Sequence, residues 1–144
     1  MSRLTLVHAA TIVDAALAKG HALGLAPLTV AVLDAGGHLV AFKREDRSGI
    51  LRFDIAFGKA WGGLGLGMGS RAIFARSEIQ PAFVNAIAAA SGGRVVPVAG
   101  GVLILDETDD VLGAVGISGD TSDNDEACAL AGIEAAGLKA KPGA

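Results

Sequence analysis

The chain has 144 residues, a length that favours one domain with a substantial buried core. Hydrophobic residues make up 51% of it, yet no apolar run reaches the roughly 20 residues that a membrane-spanning helix requires. Because no segment can span a membrane, the apolar excess predicts many small buried residues and self-association. The net charge of −3 and the 4% aromatic content argue against a nucleic-acid-binding surface.

The first part of the chain predicts a helix followed by a β-hairpin. Apolar residues recur at helical spacing over residues 4–22, and Gly24 and Pro27 follow as stop signals. A histidine and an aspartate interrupt this apolar stretch, which favours an amphipathic helix over an export signal and predicts a cytoplasmic protein. Two β-rich runs, 28–33 and 38–43, are joined by "DAGG", whose glycines supply the positive φ of a tight turn.

The second part predicts further helices and a second hairpin. The elements are a helix from about residue 50, a helix over 80–90, strands over 101–105 and 111–117, a helix from 120 to about 137, and a loose tail over 137–144. A short extra strand around 94–96 would bring the strand count to about five. The order α-β-β-α-α-β-β-α, with strands joined in hairpins, favours a single α+β domain over 1–144 with a largely antiparallel sheet.

Carboxylates cluster at the start of the last helix, in "GISGDTSDNDEACALAG". An EF-hand loop counted from Asp120 would need Gly at position 125 and Glu at position 131, where the chain has Asp125 and Ala131. Thr121 or Ser122 followed by acidic residues is instead typical of a capped helix start. The cluster therefore predicts mainly a helix start. Asp120 stays a catalytic candidate because it lies at a strand-to-helix turn.

The segment "WGGLGLGMGSR" holds five glycines in eight residues. Its G-x-G-x-G-x-G spacing follows a predicted helix, whereas a dinucleotide fingerprint follows a strand with G-x-G-x-x-G spacing. Each glycine costs a helix about 1 kcal/mol relative to alanine. This run therefore predicts a compensating contact, either close packing of another backbone, a subunit contact or a ligand against the bare main chain.

Basic side chains and a glycine pair form the candidate ligand-binding set. Arg52 and Lys59 lie seven residues, or two turns, apart on the second helix and so share a face, and Arg71 follows the glycine-rich run. Together they could form a cationic rim for a carboxylated ligand, although each could equally belong to a solvated helix face with ion pairs. Gly100 and Gly101 mark a turn or bulge where another group approaches the backbone closely.

Few side chains in this sequence can bind a metal. His8 and His21 are 13 residues apart on the first helix and cannot form an i, i+4 pair, so with Met68 they remain candidates for a single ligand. One axial ligand is sufficient for haem iron. His38 is predicted in a turn and Cys128, the only cysteine, in the core, which excludes an intramolecular disulfide.

Four segments together carry a family resemblance: "VAVLDAGGHLVAFKRED", "FDIAFGKA", "VPVAGGVLI" and "VLGAVGISGDTSDNDEACALAGIEA". They resemble the GlcG/HbpS family, the haem-degrading domain family that is related to the C-terminal domain of PduO-type proteins. The resemblance covers nearly the whole chain, with the motifs in family order. It implies a profilin-like α+β domain, with a central antiparallel sheet flanked by helices, that assembles into dimers or larger homo-oligomers. The family is associated with haem binding and redox sensing.

Three functions are compatible with the resemblance and the residues. In the first, a homo-oligomer binds haem or a related tetrapyrrole, with propionates at Arg52, Lys59 or Arg71 and iron at His8, His21 or Met68. In the second, a small enzyme without an organic cofactor acts on a carboxylated metabolite, and Asp54 or Asp120 moves a proton with a pKa raised by burial. In the third, the chain is a scaffold or regulatory oligomer that binds no small ligand.

Overall fold

Five helices and five strands form along residues 3–143, the part of the chain that the computed structural model describes. In chain order they are α1 (Leu6–Ala22), β1 (Thr29–Asp34), β2 (Leu39–Arg44), α2 (Arg52–Leu66), α3 (Ser70–Ile79), α4 (Pro81–Ala90), β3 (Gly101–Leu105), β4 (Val111–Ser118), α5 (Ser122–Ala135) and β5 (Lys139–Lys141). Among these residues, no helix is both long and apolar enough to cross a membrane.

The strands form one antiparallel sheet in the order β2-β1-β4-β3-β5. The two hairpins, β1–β2 and β3–β4, lie where the sequence predicts them. Strand β1 joins them through its pairing with β4, in which Thr29 lies opposite Ser118. The predicted α+β fold with a central sheet of about five strands is confirmed.

Helices cover both faces of the sheet because the side chains of a strand alternate between its faces. Val30 and Val32 of β1 belong to the large core formed with α1 and α5. Leu33, on the opposite face, packs in a second core with Ala60 of α2. Strand β1 is therefore buried on both faces, which accounts for its continuous apolar sequence.

Glycines allow α2 to lie directly on the sheet. A Cβ on Gly116 of β4 would overlap the carbonyl oxygen of Ala56, and a Cβ on Gly101 of β3 would overlap the carbonyl oxygen of Lys59. The opposite side of α2 is also closely packed, because a Cβ on Gly62 would lie 3.2 Å from the Cα of Val95. Within the glycine-rich run, close backbone packing is thus the compensation at Gly62 and at Gly69, where a Cβ would overlap the main chain of Pro142. A Cβ on Gly67, by contrast, would meet no atom within 4 Å.

The glycine-rich run differs from the prediction in one respect. Helix α2 continues to Leu66 and ends at Gly67, whose φ is 70°, and a separate helix, α3, follows. Helix α3 was not predicted, because its apolar residues form no continuous stripe and Gly69 makes no side-chain cap at its start.

The fifth strand is also in another place than predicted. Residues 94–96 form no strand, whereas residues 139–141, expected in a loose tail, form β5 on the free edge of β3. All of β5 is exposed, so it carries no alternating apolar pattern. Its position is set by main-chain hydrogen bonds to β3, which leave no trace in side-chain hydropathy.

Candidate functional site

A buried ion pair lies between α2 and the start of α5. The Lys59 ammonium donates to the carbonyl oxygen of Ile117 at 2.8 Å and to Asp125 Oδ2 at 3.3 Å. Both side chains are only 2% exposed. Burial lowers the pKa of Lys59 and raises that of Asp125, because the loss of hydration outweighs their mutual attraction.

The glycine pair predicted as part of the binding set encloses this lysine. A Cβ on Gly100, which has a φ of 122°, would lie 2.8 Å from the Lys59 ammonium. Gly101 faces the main chain of the same lysine. The group that closely approaches both glycines is therefore Lys59, which makes its ammonium a packed interior group rather than a cation at a solvent-facing rim.

Arg52 and Lys59 do share a face of α2. Arg52 donates to Ser118 Oγ at 3.1 Å, and its charge contributes to lowering the pKa of Lys59. Asp54, between them in sequence, is exposed. The helix thus presents Arg52 towards the sheet and the catalytic candidate Asp54 towards solvent.

The carboxylate cluster is mainly the predicted helix start. Thr121 caps α5 by accepting the N–H of Asn124 at 3.2 Å. Asp123 and Glu126 hold the guanidinium of Arg71 on α3, with 3.0 Å between Arg71 Nε and Glu126 Oε2. The hydrogen bonds to Glu126 and then to Asp123 raise the pKa of Arg71.

Asp120 accepts hydrogen bonds on both carboxylate oxygens. Asn124 donates its side-chain amide at 2.7 Å and Ala26 its backbone N–H at 3.0 Å. These bonds, the Asn124 bond first, lower the pKa of Asp120. A proton-transferring acid at neutral pH requires the opposite shift, so this environment favours a structural role for Asp120.

A cleft of about 330 Å³ opens beside Arg71. Phe74 of α3, Val98 and Ala99 before β3, and the first residues of α5 line it. Because two carboxylates already neutralise Arg71, the cleft offers an anion little net charge. The lining of the cleft includes Ala99, next to the glycine pair, but neither Arg52 nor any of the candidate iron ligands.

The structure separates the three candidate iron ligands. Met68 packs beside the small core of Ile73, Val84 and Val95, where its thioether fills space. His8 is partly buried, and its Nδ1 has no hydrogen-bond partner among residues 3–143. His21, at the other end of α1, has a side chain that is 72% exposed.

His21 lies at a surface groove between α1 and β2, which we call the α1–β2 groove. Adjoining hollows of about 440 and 480 Å³ share His21 and Glu45, and a third, of about 350 Å³, continues along β2. Leu17, one turn before His21, lines two of the three. The groove therefore combines an accessible imidazole with an apolar wall.

Glu45 fixes the imidazole at this groove. One carboxylate oxygen contacts His21 Nε2, and the other accepts the backbone N–H of Leu28 at 2.7 Å. A second ion pair spans the groove at Lys43 of β2, two residues before Glu45. The Nζ atom of Lys43 lies 2.7 Å from Asp14 Oδ1. Two ion pairs thus connect α1 to the β2 edge of the sheet.

Sequence reasoning missed Glu45, Lys43 and the role of Asp125. A signal existed for the first two, because positions 43 and 45 fall on the same side of a strand. Their partners Asp14 and His21 are two turns apart on α1 and so share a face. Only the packing of α1 against β2 brings the two pairs together, and neither segment predicts that by itself.

Cys128 is fully buried, as predicted for a core residue. Burial and then the nearby charge of Asp125 raise the pKa of its thiol to about 11. At neutral pH it therefore stays a protonated thiol, without the thiolate character of a nucleophile or metal ligand.

Three solved structures have the same fold. The haem complex of PduOC is 21% identical to this chain, with a TM-score of 0.83 and coverage of 96% of this chain and 98% of that one. Klebsiella pneumoniae protein ORFY is 26% identical, with a TM-score of 0.83 and coverages of 95% and 93%. HbpS is 24% identical, with a TM-score of 0.79 and coverages of 93% and 90%.

No curated protein matches the sequence significantly. One family model does match, described as "Haem degrading protein HbpS-like", and the match extends over residues 4–134. It therefore includes every element from α1 to β4 and nearly all of α5. The chain belongs to the HbpS-like family.

Proposed function

We propose that this protein binds haem or a related tetrapyrrole in the α1–β2 groove, with His21 as the iron ligand. The observation that carries this proposal is an exposed imidazole, oriented by Glu45, beside an apolar groove. The family match and the haem complex formed by the structural relative PduOC support it.

The residues of the groove fit such a ligand chemically. A neutral imidazole is a common ligand of haem iron, and Leu17, Ala18 and Leu25 offer apolar surface to the macrocycle. Bound haem would supply one-electron redox chemistry that amino-acid side chains lack. The hollows remain open to solvent, so the groove can contact a flat molecule along one face.

Glu45 gives His21 a feature typical of metal-binding histidines. Such a histidine commonly donates its other ring N–H to a carboxylate, which fixes the ring and raises its basicity. Glu45 is suited to this role because the Leu28 N–H holds its second oxygen. One nitrogen of His21 is thereby engaged, while the other can offer a lone pair.

The other candidates fit less well. Met68 is partly buried against a core cluster. His8 lies about 20 Å along α1 from His21, at 1.5 Å per residue, so the two histidines cannot bind one iron within a chain. The enzyme alternative requires a carboxylic acid with a raised pKa, and Asp120 has a lowered one. Asp54 remains an exposed candidate for that alternative.

We also propose that the protein works as a cytoplasmic homo-oligomer. Several large apolar side chains are exposed on the described chain, including Ile50 at 89% and Ile79 at 80%. Ile50 is followed by Leu51, which is 65% exposed, and contiguous exposed apolar surface is typical of protein–protein contacts. The cytoplasmic location is a prediction from the sequence of α1.

A haemin titration followed by Soret absorbance tests the proposed site. Wild-type protein should show saturable binding with a defined stoichiometry. His21→Ala should lower the affinity at least about tenfold, because one coordination bond is worth more than the 1.4 kcal/mol that this factor represents.

His8→Ala and Met68→Ala serve as matched variants in the same titration. Both should keep the wild-type Soret position, because neither side chain lies in the α1–β2 groove. Non-saturating binding, or a loss of binding confined to His8→Ala, would rule out His21 as the ligand.

A further inference from the structure

We infer that Lys43 anchors a carboxylate arm of the ligand at the α1–β2 groove, and that Asp14 competes with the ligand for this lysine. The inference rests on the proposed function and names the part of the groove that selects dicarboxylic tetrapyrroles. It replaces Arg52, Lys59 and Arg71, the cations that the sequence suggested for this purpose.

Lys43 lines the same groove as Glu45, the partner of His21. Lys43 of β2 and Glu45, the residue just after β2, are two positions apart in extended chain, so they project to the same side at a spacing of roughly 7 Å. On α1, Asp14 lies two turns, roughly 10 Å, from His21. The hollow lined by Lys43 also includes Leu17 and Glu45, which line the hollows at His21. A macrocycle centred over His21 would thus bring a side arm within reach of Lys43.

Lys43 is also more accessible to a ligand than the three cations that the sequence suggested. The ammonium of Lys59 is 2% exposed, Arg71 is held by two carboxylates, and Arg52 binds Ser118 on the far side of the sheet. By contrast, the side chain of Lys43 is 59% exposed and that of its partner Asp14 is 62% exposed.

An ion pair as exposed as Lys43–Asp14 contributes at most about 1 kcal/mol, so a ligand carboxylate can displace Asp14 at little cost. Arg44 also lines this end of the groove, but alternation along β2 directs its side chain towards the opposite face of the strand. Lys43 is therefore the cation best placed for the arm.

The test compares haemin with haemin dimethyl ester, whose two propionates are methylated, by Soret titration of the intact protein. Wild type should bind haemin about fivefold more tightly than the ester, and added salt should reduce this preference. Lys43→Met should bind both ligands equally. Asp14→Asn, which frees the lysine, should increase the preference for haemin.

Lys139→Met is the matched control, because Lys139 forms a similarly exposed ion pair with Asp109 away from the groove. It should retain the wild-type preference. Equal wild-type affinity for haemin and its ester, or an unchanged preference in Lys43→Met, would overturn the role of Lys43 while leaving haem binding intact. Failure of the wild type to bind either ligand saturably would instead overturn the proposed function, and this inference with it.

Discussion

Replacing Lys59 with methionine should lower the free energy of unfolding by about 3–5 kcal/mol. The substitution leaves the Asp125 carboxylate 2% exposed without its cation and removes the hydrogen bond to the Ile117 carbonyl oxygen. Asp125→Leu should cost a similar amount for the reciprocal reason. Urea unfolding followed by circular dichroism measures both.

The double variant Lys59→Met/Asp125→Leu gives the informative comparison. Burial lowers the pKa of Lys59 and raises the pKa of Asp125, because the two charges lose more in hydration than they gain from their attraction. We therefore expect the double variant to recover most of the stability lost by either single variant. Additive losses would show that the two side chains do not interact, and a double variant that stays as unstable as either single variant would show that the pair itself is net stabilising.

Adding a methyl group at Gly116 should destabilise the protein by about 3 kcal/mol, the upper end of the usual range for overpacking. The new Cβ would overlap the main-chain carbonyl oxygen of Ala56, so α2 would have to move away from the sheet. A flexible side chain could rotate out of the way, but a helix backbone cannot.

Gly49→Ala provides the matched control for Gly116→Ala. A Cβ on Gly49 meets no atom within 4 Å, so its unfolding midpoint should stay close to that of the wild type. Equal, small effects of the two substitutions would contradict the close packing of α2 on β4.

Features set by local chemistry were predictable from the sequence. The first hairpin followed from the paired glycines at its turn, and the α5 start followed from the cap at Thr121. Helix α3 and strand β5 were not predictable in this way. The first lacks an apolar stripe, and the second exists through main-chain pairing to β3.

The candidate site was likewise predictable only in part, because some of its contacts depend on tertiary packing. The sequence predicted Lys59, Gly100 and Gly101 as members of one ligand-binding set, and the structure instead packs these residues against each other as a buried contact. The two ion pairs at the α1–β2 groove were missed because each joins residues that are far apart in the chain. His21 and Glu45, for example, are 24 positions apart.

The proposed function depends most directly on the imidazole of His21, and chemical rescue tests it. His21→Gly, loaded with haemin, should lose the wild-type Soret spectrum, and free imidazole should restore it by coordinating the iron in place of the missing side chain. Because free imidazole also binds haemin in solution, the spectrum is recorded on the protein fraction after gel filtration, where restoration would identify His21 as the iron ligand. A His21→Gly spectrum identical to that of the wild type before imidazole is added would contradict the proposed site.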